Sequence, residues 1–451
     1  MKIAIIGSGI SGLVAAHRLR GRADISLLEA GDYFGGHTHT VDITLETPSG
    51  PRTHGVDTGF LVFNDRTYPQ LIALFAELGV PSADSDMSFS VQTAASSDSP
   101  ALEWCGTSLD AVFAQRSNLL RPRFWRMLLD VVRFNKLATG LALRNADAEL
   151  VQPLGEFLRQ HGFSQEFKDW YFLPMLACIW SCPTDQMLAF PVSTMVRFCY
   201  NHGLIALTNR PQWRTVPGGA RNYVEKIVAG IVDKRLNAPV QRIERLADGV
   251  LVQVQGQTER FDKVIVATHS DQALAMLADA SGQERQILSA IRYQPNHAVL
   301  HTDASVLPRR KKAWAAWNYQ RTLGASGAAS GKRSGSASGH GDGAAPVPKG
   351  PRVCLHYLLN MLQPLPFSQP VVVSLNPAHE IDPALVHGRF DYAHPVFDLA
   401  ATAAQQQLPA IQGRRHTYYC GAWTGYGFHE DGLKSGLAVA DALQPLLVQG
   451  A

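Results

Sequence analysis

Lys2-Ile3-Ala4-Ile5-Ile6-Gly7-Ser8-Gly9-Ile10-Ser11-Gly12-Leu13-Val14-Ala15-Ala16, followed by Ile25-Ser26-Leu27-Leu28-Glu29, decides how the rest of the chain is read. Ile3 to Ile6 form a short apolar run suited to a buried parallel strand, and an apolar helix follows the loop Gly7, Ser8, Gly9, Ile10, Ser11 and Gly12. The three glycines have the G-x-G-x-x-G spacing, and each has a separate task. Gly7 permits the tight turn, Gly9 lets backbone approach a pyrophosphate, and Gly12 lets helix pack on strand, while the helix N-terminus offers free N–H groups to phosphate. Glu29 closes the second strand 22 residues after Gly7, near the separation of about 20 at which a carboxylate meets a ribose hydroxyl. The pattern predicts a dinucleotide-binding βαβ unit. Lys2 before an apolar stretch could also open a secretory leader, but the glycine spacing and the strand-ending acid argue against it.

At 451 residues, 46% hydrophobic and 18% charged, the chain is long enough for two domains. Its net charge of +3, from 41 basic and 38 acidic residues, leaves no nucleic-acid footprint. Six scattered cysteines without a C-x-x-C pair read as buried, reduced thiols. No apolar run approaches the ~18 residues of a spanning helix, so a cytoplasmic protein is expected. His37, His39 and His54 lack a neighbouring carboxylate or cysteine cluster and make a poor metal set; no metal is expected. No G-x-S-x-G nucleophile elbow occurs.

The next segment, Ala30-Gly31-Asp32-Tyr33-Phe34-Gly35-Gly36-His37-Thr38-His39-Thr40, resembles the Gly-Gly stretch that follows the acid in flavin-containing amine oxidases, phytoene desaturases and protoporphyrinogen oxidases. Val56-Asp57-Thr58-Gly59-Phe60, Thr215-Val216-Pro217-Gly218-Gly219-Ala220 and Tyr418-Tyr419-Cys420-Gly421-Ala422-Trp423 with Gly432-Leu433-Lys434-Ser435-Gly436 extend the resemblance over the whole chain. It implies FAD as cofactor. The implied contacts are Gly7 to Gly12, Glu29, Ala30, Gly36, His37, Thr38, Asp57, Gly59, Val240, Gly421, Gly432 and Leu433. His37 stands where most members of that superfamily place Arg, exchanging a guanidinium for an imidazole. Met87-Ser88-Phe89-Ser90, Asn201-His202-Gly203-Leu204, Leu375-Asn376-Pro377, His394-Pro395-Val396-Phe397 and Gly427-Phe428-His429-Glu430-Asp431-Gly432 are similar to a narrower group of bacterial amine-oxidase-like proteins associated with cyclopropane fatty acid synthase genes. Some of that group are thought to desaturate acyl chains.

The expected fold is α/β: a Rossmann-type, glutathione-reductase-like FAD-binding domain with an inserted α+β substrate domain, in the two-domain amine-oxidase arrangement. FAD-binding segments are expected at residues 1–78, 215–290 and 410–451, and substrate-domain segments at 79–214 and 291–409. Periodicity predicts a helix over Tyr68 to Leu78 and strands near Phe89 to Gln92 and Leu102 to Trp104. Arg121 to Lys136 reads as an amphipathic helix with Phe124, Trp125, Leu128, Leu129 and Val132 on one side and basic residues on the other. That pattern suits either a core helix with a solvated basic face or a helix docked on an anionic membrane. Aromatic and methionine residues crowd Phe157 to Tyr200, where core packing and an apolar substrate tunnel are alternatives. Gly324 to Gly350 is a Gly/Ser/Ala tract that reads as a disordered insertion.

Flavin chemistry needs few side chains beyond positioning, because the cofactor takes the hydride. His429, Glu430 and Asp431 are the catalytic candidates, with helix capping an equal reading for the two acids. The expected activity is FAD-dependent removal of a hydride from an apolar small molecule, such as desaturation of an unsaturated or methylated fatty acyl lipid. Amine oxidation, redox-neutral double-bond isomerisation and non-enzymatic flavin binding are the alternatives. Peripheral association with the inner face of a membrane is a further expectation; a nucleic-acid partner is not.

Overall fold

Lys2–Ile6 lies at the centre of a five-stranded parallel sheet whose order is Asp233–Arg235, Asp24–Leu28, Lys2–Ile6, Lys263–Val266, Thr417–Tyr419. The computed structural model describes residues 1–95, 100–144, 150, 152–206, 210–321 and 353–448. Strand side chains alternate between faces, and the central strand uses both. Ile3 and Ile5 join Leu13, Val14 and Leu19 of the helix Ile10–Leu19 in one core. Ala4 and Ile6 join Ile243, Val250, Val252 and Phe261 of an antiparallel three-stranded meander in another. A continuous apolar run therefore marks a strand covered twice.

The C-terminal helix His429–Val448 packs on Ile10–Leu19. Glycine allows their close approach: a Cβ at Gly436 would lie 2.3 Å from the Ser11 carbonyl oxygen, and one at Gly432 2.8 Å from the Ile10 side chain. Leu433, Val439, Ala440 and Leu443 of the same helix are buried in that core. A buried ionic group ties the meander to the last strand of the sheet. Arg245 donates to Asp279 and Glu284 at 2.6 Å each, and the Tyr419 hydroxyl donates to Glu284 at 2.6 Å.

A second, seven-stranded sheet runs Val386–Val396, Arg292–His301, Val372–Leu375, Cys354–Leu358, Trp317–Arg321, Phe89–Thr93, Leu102–Cys105. All its pairings are antiparallel except that of Trp317–Arg321 with Phe89–Thr93. The strands expected near Phe89 to Gln92 and Leu102 to Trp104 pair antiparallel at its edge. The Tyr68 to Leu78 prediction corresponds to the helix Pro69–Leu78, with Leu71, Leu74 and Phe75 buried.

The long basic helix corrects the sequence reading. It runs Pro122–Leu143, and its buried side carries Phe124, Met127, Phe134, Ala138 and Leu141. Trp125, Leu129 and Val132, expected beside Phe124, are exposed. The reason is that Phe134, beyond the third turn, enters the aromatic core and fixes the rotation of the helix. The aromatic and methionine stretch from Phe157 to Tyr200 is mostly packed core, in contact with Phe134, and only Phe198 of its aromatics reaches the main cavity. All six cysteines are free and buried. Among the described residues no helix is long and apolar enough to cross a membrane; Gly324 to Gly350 lies outside them.

Candidate functional site

A cavity of roughly 660 Å³ opens where the glycine loop ends the first strand. Gly7, Ser8, Gly9, Ile10 and Ser11 line it, with Glu29, Ala30, Gly36, His37, Gly59, Val240, Gly421 and His429. Thirteen expected site residues therefore share one wall. The glycines divide their work as the spacing predicts. Gly7 has φ +96°, a conformation that L side chains rarely adopt, and a Cβ at Gly12 would lie 2.0 Å from the Gly7 carbonyl oxygen. Gly9 differs, since a Cβ there would meet no protein atom within 4 Å. Its lack of a side chain answers to nothing inside the fold, only to what enters the cavity.

The helix that follows has no acidic residue in its first turn and no side-chain cap. Its leading N–H groups have no intrahelical acceptor and carry the positive end of the helix dipole, which suits a phosphate. Glu29 Oε2 accepts from the Ser8 backbone at 2.8 Å and the Ser8 hydroxyl at 2.6 Å, while Oε1 accepts only the Gly31 N–H at 2.9 Å. Oε1 thus keeps a lone pair for a ribose hydroxyl. An open glycine, an uncapped helix start and a carboxylate with spare capacity are the donor and acceptor set that a dinucleotide requires, so these residues fit FAD.

Seven other candidates do not line the cavity. Gly12, Gly432 and Leu433 serve helix packing. The Thr38 hydroxyl is 2.6 Å from that of Tyr223. Buried Asp57 accepts from Thr40, the Ala220 backbone and Gln363, joining the strand Gly50–Asp57 to the helix Arg221–Ala229 from behind the site; burial raises its carboxyl to about 7 against those bonds. Glu430 accepts from the backbone N–H of Gln70 and Leu71, both at 3.0 Å, and so caps Pro69–Leu78 rather than its own helix. Asp431 reaches back to the Phe428 N–H at 3.0 Å and caps its own.

The sequence reading did not single out the ring of imidazoles. His202, His269 and His394 line the cavity together with His37 and His429. Desolvation lowers His37, His202 and His269 to about 4 and His394 and His429 to about 3, with mutual repulsion adding to it for His37, His394 and His429. All five are neutral at pH 7. His429 Nε2 lies 2.7 Å from the Tyr223 hydroxyl, and its ring stacks on Phe60 at 3.8 Å. His394 Nδ1 accepts from the Asn296 amide at 2.8 Å, whereas His37 Nε2 has no hydrogen-bond partner. His37 lies in a turn, His202 ends the helix Val192–Asn201, His269 precedes the helix Ser270–Met276, His394 belongs to the strand Val386–Val396 and His429 opens the C-terminal helix, so no local spacing could have signalled them.

The remaining lining is mostly apolar or aromatic, with Met87, Ile179, Phe198, Leu204, Trp317, Tyr357 and Phe428 among others, and Ser181, Thr268 and Gln272 are polar members of it. Among the described residues Glu29 is the only charged side chain on the cavity wall.

The family model described as flavin containing amine oxidoreductase matches residues 10–360. No curated protein matches. Solved structures resemble the whole chain at low identity. A CLA-producing fatty acid isomerase from P. acnes aligns at TM-score 0.63 with 15% identity, covering 98% of each chain. Putrescine oxidase bound to putrescine aligns at TM-score 0.64 with 14% identity, covering 98% of this chain and 99% of that one. Cyclohexylamine oxidase from Brevibacterium oxydans aligns at TM-score 0.61 with 17% identity, covering 99% of both.

Proposed function

Because the chain belongs to the flavin containing amine oxidoreductase family and is an FAD-dependent oxidoreductase, we propose that it removes a hydride from a C–H bond of an apolar acyl chain, beside a double bond or a methyl branch. The observation that carries this reading is a wall whose only charged side chain, among the described residues, is Glu29. A polyamine carries a second, remote ammonium that is best held by a carboxylate. The Glu29 carboxylate is held by Ser8 and Gly31 beside the glycine loop. Met87, Ile179, Phe198 and Phe428 instead offer an acyl chain apolar surface worth ~25 cal/mol per Å² removed from water.

When bound, FAD supplies the hydride acceptor. The protein positions the substrate, excludes water and handles the proton lost from the neighbouring carbon. We assign that proton to His429: with Nε2–H donated to the Tyr223 hydroxyl, Nδ1 remains as the base. The same reading gives Gly7 to Ser11 to the pyrophosphate, Glu29 to a ribose, and the backbone at Val240 and Gly421 to the remainder of the cofactor. It assigns residues 1–78, 215–290 and 410–451 to flavin binding, and 79–214 with 291–409 to substrate. A position at the inner face of a membrane would bring an acyl lipid within reach.

Similarity to a fatty acid isomerase supports a second outcome, return of the hydride to another carbon. Anaerobic mixing of the purified flavoprotein with acyl lipids, polyamines and aromatic amines separates these readings. Lasting bleaching by acyl lipids alone is expected; transient bleaching with an isomerised product indicates the second outcome, and bleaching by amines alone refutes both.

A further inference from the structure

We propose that the helix Pro122–Leu143 and the turn before it form a docking surface for an anionic phospholipid membrane. Most large apolar side chains left exposed on the described protein gather here. Leu120 is 88% exposed, Leu129 70% and Val132 60%, and Leu119, Trp125 and Leu143 join them. At 100° per residue, positions 125, 129, 132, 136 and 143 fall within a sector of about 60°, so the exposed residues form one stripe along the helix axis. The opposite side is filled by Phe124, Met127, Phe134 and Leu141. The helix is thus apolar on two faces, and packing within the chain satisfies only one.

Charge identifies the occupant. From 111 to 144 the chain carries seven basic residues and a single acid. That acid, Asp130, is buried and engaged by Arg133 at 3.2 Å and by the Ser164 backbone at 2.9 Å. Nearby Glu166 is paired with Arg123, and Asp110 with Lys312 at 2.7 Å. Arg126, Lys136 and Arg144 are exposed on the helix that bears the stripe. An apolar stripe that carries Lys136 within it and Arg126 and Arg144 along one edge is the pattern of a helix lying in the headgroup layer of an anionic leaflet, and Trp125, whose indole N–H donates to the Leu119 carbonyl at 2.9 Å, supplies the interfacial aromatic. A protein partner would more often leave an apolar patch with a mixed-charge rim.

This surface deepens the acyl-lipid reading by placing the enzyme where such a substrate resides. The inner face of the helix packs into the aromatic cluster that includes Phe198 and contacts Phe428, both of which line the cavity. The docking itself stands on surface chemistry and does not depend on turnover.

The test is co-sedimentation of the FAD-loaded full chain with phosphatidylglycerol-containing or pure phosphatidylcholine vesicles, at low and high salt. Binding to the anionic vesicles, weakened by salt, is expected. Arg126→Glu with Lys136→Glu should weaken it by about fivefold or more per residue, since each basic side chain contributes ~1 kcal/mol at such a surface. Leu120→Ser, Leu129→Ser and Val132→Ser together should abolish pelleting while flavin content stays full, because all three sites are exposed. Soluble wild type with anionic vesicles, or a triple variant that pellets like wild type, overturns the proposal. So does a concentration-dependent dimer in sedimentation velocity that the triple variant loses, since a second copy would then cover the stripe. Flavin bleaching by acyl lipid in detergent micelles is read separately. Its loss with vesicle binding retained refutes the substrate and leaves the surface standing.

Discussion

Replacing Gly9 with valine should remove FAD and leave the fold intact. Gly9 sits at φ −61°, ψ 174°, an extended conformation that any L residue adopts, and a Cβ there meets no protein atom within 4 Å. The apoprotein therefore has no reason to lose more than ~0.5 kcal/mol, the usual range for an uncrowded site. The two added methyl groups would occupy the space over the helix N-terminus, where a pyrophosphate takes hydrogen bonds from backbone N–H. Each bond to a charged group is worth about 1.5–3 kcal/mol, so displacing two costs about 3–6 kcal/mol, more than a hundredfold in affinity. Gly12→Ala is the control, because its Cβ would lie 2.0 Å from the Gly7 carbonyl oxygen and must disturb helix and strand. The flavin-to-protein absorbance ratio after purification and the melting temperature of each apoprotein provide the two readouts. A Gly9→Val protein with full FAD would refute the assignment of the loop. An apoprotein as destabilised as Gly12→Ala would show that Gly9 serves packing instead.

Glu430→Gln should lower stability by about 1–2 kcal/mol, as loss of a charged helix cap does, with the rate of flavin reduction unchanged; a slowed reduction at unchanged melting temperature would return Glu430 to the catalytic group. Glu284→Ala should cost about 3–5 kcal/mol, because it leaves Arg245 buried against Asp279 alone, and chemical denaturation will show whether it does. The histidines give a pH dependence whose sign follows from their direction. Five groups held below 6.5 stay neutral in the folded state while their unfolded counterparts take up protons. Their contribution is complete above pH 6.5 and declines as pH falls toward 4, by about 1.4 kcal/mol per pH unit for each fully linked group. Asp57 and Asp431, raised to about 7 and about 6, and Glu430, also raised, oppose this between pH 4 and 7, but burial holds His17, His39, His54, His301, His356 and His387 low as well, so the imidazoles outnumber the carboxyls. Denaturation of the apoprotein across pH 4 to 7 should show stability rising with pH; a flat or falling profile would mean that the imidazoles are not desolvated. His429→Gln should slow anaerobic flavin reduction without loss of bound flavin, and an unchanged rate would remove His429 from proton transfer.

The nucleotide end of the cavity was legible because its constraints are local. A strand covered on both faces must be apolar without alternation, a turn at φ +96° requires glycine, and a helix start must leave its N–H groups open. Each requirement falls on a residue next to the last in sequence. The resemblance of the later segments, Gly59 and Gly421 among them, brought further positions to the same wall. It did not separate residues that touch the cavity from residues that hold such positions in place. Asp57, Gly432 and Leu433 belong to the second kind, and their spacing is as regular as that of Gly9.

The other end was illegible for a physical reason visible in the helix Pro122–Leu143. Periodicity shows that apolar residues recur, yet a helix with two apolar faces has two solutions, one the rotation of the other. Phe124, Trp125, Leu128, Leu129 and Val132 read as one face because each is near the next in sequence. What chooses between the solutions is Phe134, whose partners Phe163, Phe167 and Phe172 lie 29 to 38 positions further along and arrive from other elements. The imidazole ring has the same character. His37, His269, His394 and His429 share one cavity although 392 positions separate the first from the last, and their neutrality is produced by desolvation and by one another. Long-range packing alone creates both features, so the lining of the cavity and the exposed stripe of the helix are set by contacts that the sequence does not display.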